Sequence, residues 1–249
     1  KRTSDVAAIC LQIHVPAPRQ HRILNAYIEN SVFQVQAPIM GGVFHPKVWI
    51  LRFEPQETGP IKYRVICLSR NLTFDKSWDT EVMLDGEVMD RSNAFGICRP
   101  LSEFVAKLPE IAINNNKPSK QVLKIISTIS NELLVTQFEL PDGFDELYFW
   151  SLGLESGKKT KSNIFGWPVR AVVSPFLCDG FINKYLKEQT KNAILVSRRD
   201  SLDAIKKDTL SIFEKIFTLD DGASEIEQEE EAEKEIQTEL TGLHAKIFM

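Results

Sequence analysis

Four histidines stand in this chain, at positions 14, 21, 45 and 244, and two of them open the same short pattern. Phe44-His-Pro-Lys-Val-Trp-Ile-Leu51 and Leu243-His-Ala-Lys-Ile-Phe-Met249 each place a lysine two residues after the histidine and lead into an apolar run. On a strand, residues i and i+2 share a face, so each imidazole is presented beside an ammonium. A single strand histidine with a nearby lysine is most often structural. Two such pairs, each following a similar run of elements, are harder to assign to chance. Together they suit attack on a phosphodiester, which requires a nucleophile, a proton donor for the leaving oxygen, and cations facing the phosphate oxygens. Two imidazoles with ordinary pKa values near roughly 6.5 can divide the first two tasks, one neutral and one protonated. Two lysines supply the positive charge. No metal or other cofactor is then called for, and the chain offers no H-E-x-x-H, no paired cysteines and no compact Asp/Glu cluster with metal-ligand spacing.

The elements that must position these groups follow from periodicity. Strand character recurs in Ala7–His14, Val43–Phe53, Tyr63–Leu68 and Thr80–Leu84. Glu54–Pro60 is rich in turn formers, so Val43–Phe53 and Tyr63–Leu68 are expected to form a hairpin with a long connection. Helical spacing marks Pro18–Asn30, Asp90–Leu108 and Ser119–Leu134, with Pro100 expected to kink or divide the second. Polar Ile113–Lys120 reads as a surface linker. In the second half, Glu146–Ser151, Pro168–Pro175 and Asn192–Ser197 read as strands, and Asp179–Gln189, Leu202–Lys206 and Leu210–Phe217 as helices. Alternating strands and helices argue for an α/β fold with some parallel pairing. Val6–Lys47 and Val169–Lys246 both run through strands and helices into a His-x-Lys strand, which reads as an internal duplication.

Length and composition allow this. The chain has 249 residues, 43% of them hydrophobic and 26% charged, which excludes collagenous, low-complexity and disulfide-framework classes. Cys10, Cys67, Cys98 and Cys178 are widely spaced and read as buried free thiols of a reducing cytoplasm. No apolar run approaches the roughly 18 residues that would cross a bilayer. Both ends run into strand-like sequence, so a piece of a longer protein is expected, and a missing targeting segment proves nothing. Net charge is −4, but two Asp, eight Glu and one Lys between Asp220 and Glu239 contribute −9, leaving +5 on the remainder. Such an acidic run reads first as a solvated helix or disordered insert. Its sharper reading is a nucleic-acid mimic lying over a basic groove.

Downstream of the first pair come Ser69-Arg70-Asn71 and then Glu81. With His45-Pro46-Lys47, this series resembles the half-site signature of the phospholipase D superfamily, His-x-Lys followed by Ser-x-Asn and a later acidic residue. It is most similar to the tyrosyl-DNA phosphodiesterase and bacterial nuclease-like members. The resemblance implies two α/β/α repeats with mixed sheets, packed about a pseudo-twofold axis around one active site. Residues 1–140 would form the first repeat and 141–249 the second, with an acidic insert at 220–240 and its last strands missing. By that likeness one histidine would become phosphorylated and the other act as acid and then base; the expected order is His45 as nucleophile and His244 as acid, which the sequence itself does not fix. Lys47, Lys246 and Asn71 would hold the phosphate, while Ser69 and Glu81 would orient the imidazoles. Asn71-Leu72-Thr73 also matches a glycosylation sequon, but an asparagine in this role would lie inside a cleft. The pattern is departed from in three places: Arg52 stands where many members have Asp, Leu68 where they have Gly, and the second Ser-x-Asn is absent. The chain alone is therefore expected to show weak activity or none.

The +5 balance favours a polyanionic partner over a neutral lipid headgroup. Arg52, Lys62, Arg64, Arg70, Lys76, Lys158-Lys-Thr-Lys161 and Arg198-Arg199 are candidate backbone contacts, each with surface solubility as its plain explanation. Trp49, Trp78, Trp150 and Trp167 could stack bases, but core packing is the first expectation for each. No basic amphipathic membrane helix stands out. A nuclease acting on DNA ahead of RNA leads. Phospholipid hydrolysis or transfer follows, and a catalytically idle nucleic-acid-binding module, working with other domains or a partner subunit, is the remaining reading.

Overall fold

In the computed structural model the described residues are 8–10, 32–38, 44–69, 77–113, 117–151, 154, 168–218 and 242–249. They form a mixed α/β structure with one antiparallel and one mixed four-stranded sheet. The strands of the first part are β1 (Ala8–Cys10), β2 (Val32–Gln34), β3 (Val48–Phe53), β4 (Lys62–Leu68), β5 (Ser77–Trp78), β6 (Glu81–Val88) and β7 (Thr136–Phe138). Those of the second part are β8 (Val169–Val173), β9 (Thr190–Ser197), β10 (Phe213–Thr218), β11 (Gly242–Leu243) and β12 (Ile247–Phe248). Two compact units share the chain, and both are discontinuous. The first takes Lys1–Ile66 and Met83–Thr160, the second Cys67–Val82 and Lys161–Met249.

The first unit is built on the sheet β3-β4-β6-β7, beside which β1 and β2 pair in parallel. Two helices cover its core. Ser119 opens the helix Lys120–Leu134 by accepting a hydrogen bond from the Val122 amide at 3.3 Å, one of the four amides that the first turn leaves without a partner. Val122, Ile126 and Leu133 then fall on the buried face, each contributing on the order of 1.5–3 kcal/mol by leaving water. The helix Arg99–Lys107 begins with Pro100 in its first turn, where a missing amide costs nothing. Small residues let the two helices meet: Ser102 Oγ donates to the Ser130 carbonyl at 2.7 Å. Phe33, Val35, Tyr63, Val65, Leu84, Leu101, Val105 and Leu108 complete this core.

The second unit centres on the sheet β10-β9-β8-β12. Strands β8, β9 and β10 are parallel, and β12 runs antiparallel to β8. The β8–β9 crossover is helical over Asp179–Phe181 and continues as a π-turn through Ile182–Leu186, burying Ile182 and Leu186 on Val169, Val172, Ala193 and Leu195. Asn192, with φ of 55°, occupies the left-handed region at a register shift between β8 and β9, a conformation asparagine tolerates better than most residues. The short strands β5 and β11 pair in parallel through Ser77↔Gly242 and Trp78↔Leu243.

Several expectations need correction. Pro100 divides the segment expected to be helical over Asp90–Leu108: it stands in the first turn of the helix Arg99–Lys107, a 3-10 turn at Gly96–Cys98 precedes it, and the chain before Gly96 is irregular. Glu146–Ser151 is not a strand. Leu210–Phe217 is the end of a short helix (Lys207–Leu210) followed by β10, because its apolar run serves an edge strand. Trp49, Trp78 and Trp150 are exposed, not core. Of the cysteines, Cys98 is a buried free thiol, but Cys67 and Cys178 are exposed. Pro18–Asn30, Trp167 and the acidic run lie outside the described residues.

Candidate active site

In the first unit, His45 and Lys47 sit on the extended segment that leads into β3. Lys47 turns back on its own histidine: Nζ lies 2.9 Å from Nδ1 and 3.0 Å from Nε2. Strand β3 then places Arg52 against the helix Lys120–Leu134. Arg52 Nε and Nη2 grip both Glu132 oxygens at 2.7 and 2.9 Å, Nη1 reaches Glu54 at 3.1 Å, and Tyr63 Oη donates to Glu132 at 2.5 Å. Burial pushes the Glu132 carboxyl up, but the hydrogen bonds from Arg52 and Tyr63 outweigh it and hold the group below its ordinary value. Burial, reinforced by Glu132, raises the Tyr63 phenol.

The second unit gathers more. β4 ends by delivering Ser69, which is buried, and its amide and hydroxyl bracket Thr80: Ser69 N donates to the Thr80 carbonyl and Thr80 N donates to Ser69 Oγ, both at 2.9 Å. Ser69 Oγ in turn donates to Asp79 Oδ1 at 2.9 Å. The parallel pairing of β5 with β11 brings the second His-x-Lys alongside. The amides of His244 and Ala245 both donate to the Trp78 carbonyl, at 3.0 and 2.8 Å. Lys246 Nζ then donates to the Ser69 carbonyl at 3.1 Å and to the His244 carbonyl at 3.0 Å. Burial holds this ammonium below the usual lysine range, with the Asp79 charge opposing the shift. The ring of Phe176 meets His244 edge-on, centroids 5.7 Å apart.

Ser69, His244 and Lys246 are therefore assembled in one unit, and His45 with Lys47 in the other. Glu81 is an exposed residue at the start of β6. Asn71 lies outside the described residues, as do Arg70, Lys76 and Lys158–Lys161. Four candidate backbone-binding cations are engaged by carboxylates: Arg52 as above, Lys62 by Glu87, Arg64 by Asp85 and Arg198 by Asp200. Two neighbours of the site escaped the sequence reading. Asp79 was within reach, since it lies only two residues before Glu81, just ahead of the strand-like run Thr80–Leu84. Phe176 had no signal, because nothing in its spacing ties it to His244. Among the described residues, no group of three or more His, Cys, Asp or Glu is arranged to hold a metal ion, and no helix is long and apolar enough to cross a membrane. Compared with protein-family models, curated proteins and solved structures, the chain gives no match.

Proposed function

We propose that this protein is a metal-independent phosphodiesterase of nuclease type, built from two phospholipase D-like repeats. The observation that carries the reading is the second-unit cluster, in which a His-x-Lys pair and the serine of a Ser-x-Asn element meet through the Lys246–Ser69 hydrogen bond. Residues so far apart in sequence have no local reason to converge. In this reading one imidazole attacks phosphorus, a P–N bond forms, and the bond to the leaving oxygen breaks as the other imidazole gives that oxygen a proton. The second histidine, now neutral, takes a proton from water, which attacks phosphorus and releases the first. His45 is taken as the nucleophile and His244 as the acid, and the reverse assignment uses the same residues. Lys47 and Lys246 offset the charge on the transferring phosphoryl group.

The test is cleavage of a labelled DNA in EDTA by purified full-length protein that carries this chain and supplies the missing second Ser-x-Asn element. Cleavage is expected to persist, and His45→Ala or His244→Ala is expected to lower it by roughly 10³-fold or more. Activity retained in both variants would defeat the mechanism. A second reading, an idle nucleic-acid-binding module, draws on Arg52, which stands at the motif's Asp position and is occupied by Glu132 and Glu54. Binding of DNA without turnover would favour it, and cleavage of phosphatidylcholine but not DNA would favour a lipase.

A further inference from the structure

Phe176 lies just beyond the end of β8 and is 49% exposed although its backbone is fixed. Ser174 Oγ donates to its carbonyl at 3.1 Å, Ser201 Oγ donates to the Pro175 carbonyl at 2.5 Å, and Pro175 is fully buried. Polar groups surround the ring. The His244 imidazole meets it at 80°, Lys246 Nζ stands 5.5 Å from its centroid, and Arg198 Cζ stands 5.9 Å away. All of these residues belong to the second unit. An anchored aromatic ring kept in water beside an imidazole and an ammonium is poorly explained by packing.

We propose that Phe176 is a stacking position for an unpaired nucleobase adjoining the phosphate held at His244 and Lys246, so that the substrate is a single-stranded or locally opened nucleic acid. The inference rests on the phosphodiesterase reading and narrows it. An exposed ring beside a phosphate site has two chemical uses: stacking a base, or receiving the quaternary ammonium of a choline headgroup. Lys246 opposes the second, because an incoming cation would meet like charge at the ring. A nucleotide brings the reverse, a neutral planar base for the ring and an anion for the lysine. Arg198 adds to this in smaller measure, since its guanidinium is forked onto Asp200. Bases in a duplex stack on each other and leave no face for Phe176 until one is displaced.

The experiment uses the His45→Ala protein, which keeps the strand intact, titrated with a single-stranded oligonucleotide carrying 2-aminopurine and with a hairpin duplex of the same composition. Tighter binding of the single strand and quenched 2-aminopurine emission are expected. Phe176→Leu keeps apolar bulk without a π-face; it is expected to weaken single-strand binding roughly 5- to 100-fold and remove the quench, and Phe176→Tyr to restore both. Thermal melting confirms that the leucine variant is folded. Lack of any quench overturns the inference with no change at position 176. Undiminished binding by the leucine variant, or equal losses on strand and hairpin, overturns it too, as does Phe176-dependent binding to phosphatidylcholine vesicles in place of the oligonucleotide. The two readings fail separately. DNA cleavage by the native protein that is indifferent to Phe176→Leu sinks the stacking position alone, whereas Phe176-dependent binding with no cleavage sinks the phosphodiesterase alone.

Discussion

The two His-x-Lys segments share a spacing but not a setting. In the first unit Lys47 folds onto the imidazole of His45, and the strand that follows is pinned through Arg52 to Glu132. In the second unit Lys246 turns away from its imidazole onto two carbonyl oxygens, His244 and Ser69, and lies deep enough for burial to weaken its hold on a proton. One ammonium is therefore packed against its own imidazole, while the other is held on two backbone carbonyls. A three-residue pattern fixes which groups are neighbours; the elements packed around it decide what those neighbours do.

The largest effect that could break this comparison is on turnover. Lys246→Ala is expected to lower phosphodiesterase activity roughly 100-fold or more through loss of charge opposite the phosphoryl oxygens. Because that ammonium must stay protonated to act and is held below the usual lysine range, activity is expected to fall on the alkaline side before an ordinary lysine would titrate. Lys246→Arg is expected to move that limb upward, and an unchanged limb would show that Lys246 does not set it. Rate against pH for both variants is the measurement.

Next comes stability of the first unit. Glu132→Ala leaves Arg52 and Tyr63 without their shared acceptor in a part-buried site, and a loss of about 3 kcal/mol in chemical denaturation is expected. The carboxyl of Glu132 is depressed below its ordinary value of 4.5, so its contribution is complete above that pH and lost as pH falls through the depressed value. Glu132→Gln should accordingly flatten the acid limb of a melting profile. An equal acid limb in the two proteins would count against the network.

A smaller contrast sharpens the picture through the thiols. Burial pushes the Cys98 thiol up to about 11 from an ordinary 9.0, whereas Cys178 in the second unit is exposed. With a raised folded-state pKa, the Cys98 contribution is intact below pH 9 and is lost as pH rises toward 11, by at most about 2–3 kcal/mol. A thiol reagent is expected to modify Cys178 rapidly and Cys98 only on unfolding. Equal rates at both would overturn the assignment.

What could be read from sequence tracks how local the deciding interaction is. The helix Lys120–Leu134 was legible because its cap, Ser119, and its buried face, Val122, Ile126 and Leu133, lie within one segment. The strands after His45 and around Cys67 were legible for the same reason. Leu210–Phe217 was not: Leu210, Phe213 and Phe217 fit a helical period, and only pairing with β9 makes its last five residues part of the strand Phe213–Thr218. Arg52 could be seen to break a motif, but its bond to Glu132 spans 80 positions, and that of Lys246 to Ser69 spans 177. Exposure of Trp49 and Trp78 likewise depends on which sheet face is left uncovered, which no count of apolar residues determines.

Both units are interrupted in sequence, and this has a consequence for synthesis. The first unit is complete once residue 160 has left the ribosome, whereas Cys67–Val82, made early, must wait for the segment that carries His244 and Lys246. Until then β5 lacks the strand it pairs with and Ser69 lacks its lysine. Vectorial folding thus orders the assembly: a scaffold first, the charged cluster last. A nascent chain stopped short of residue 246 carries one His-x-Lys pair and no second one, so the proposed chemistry switches on only when translation has passed that point.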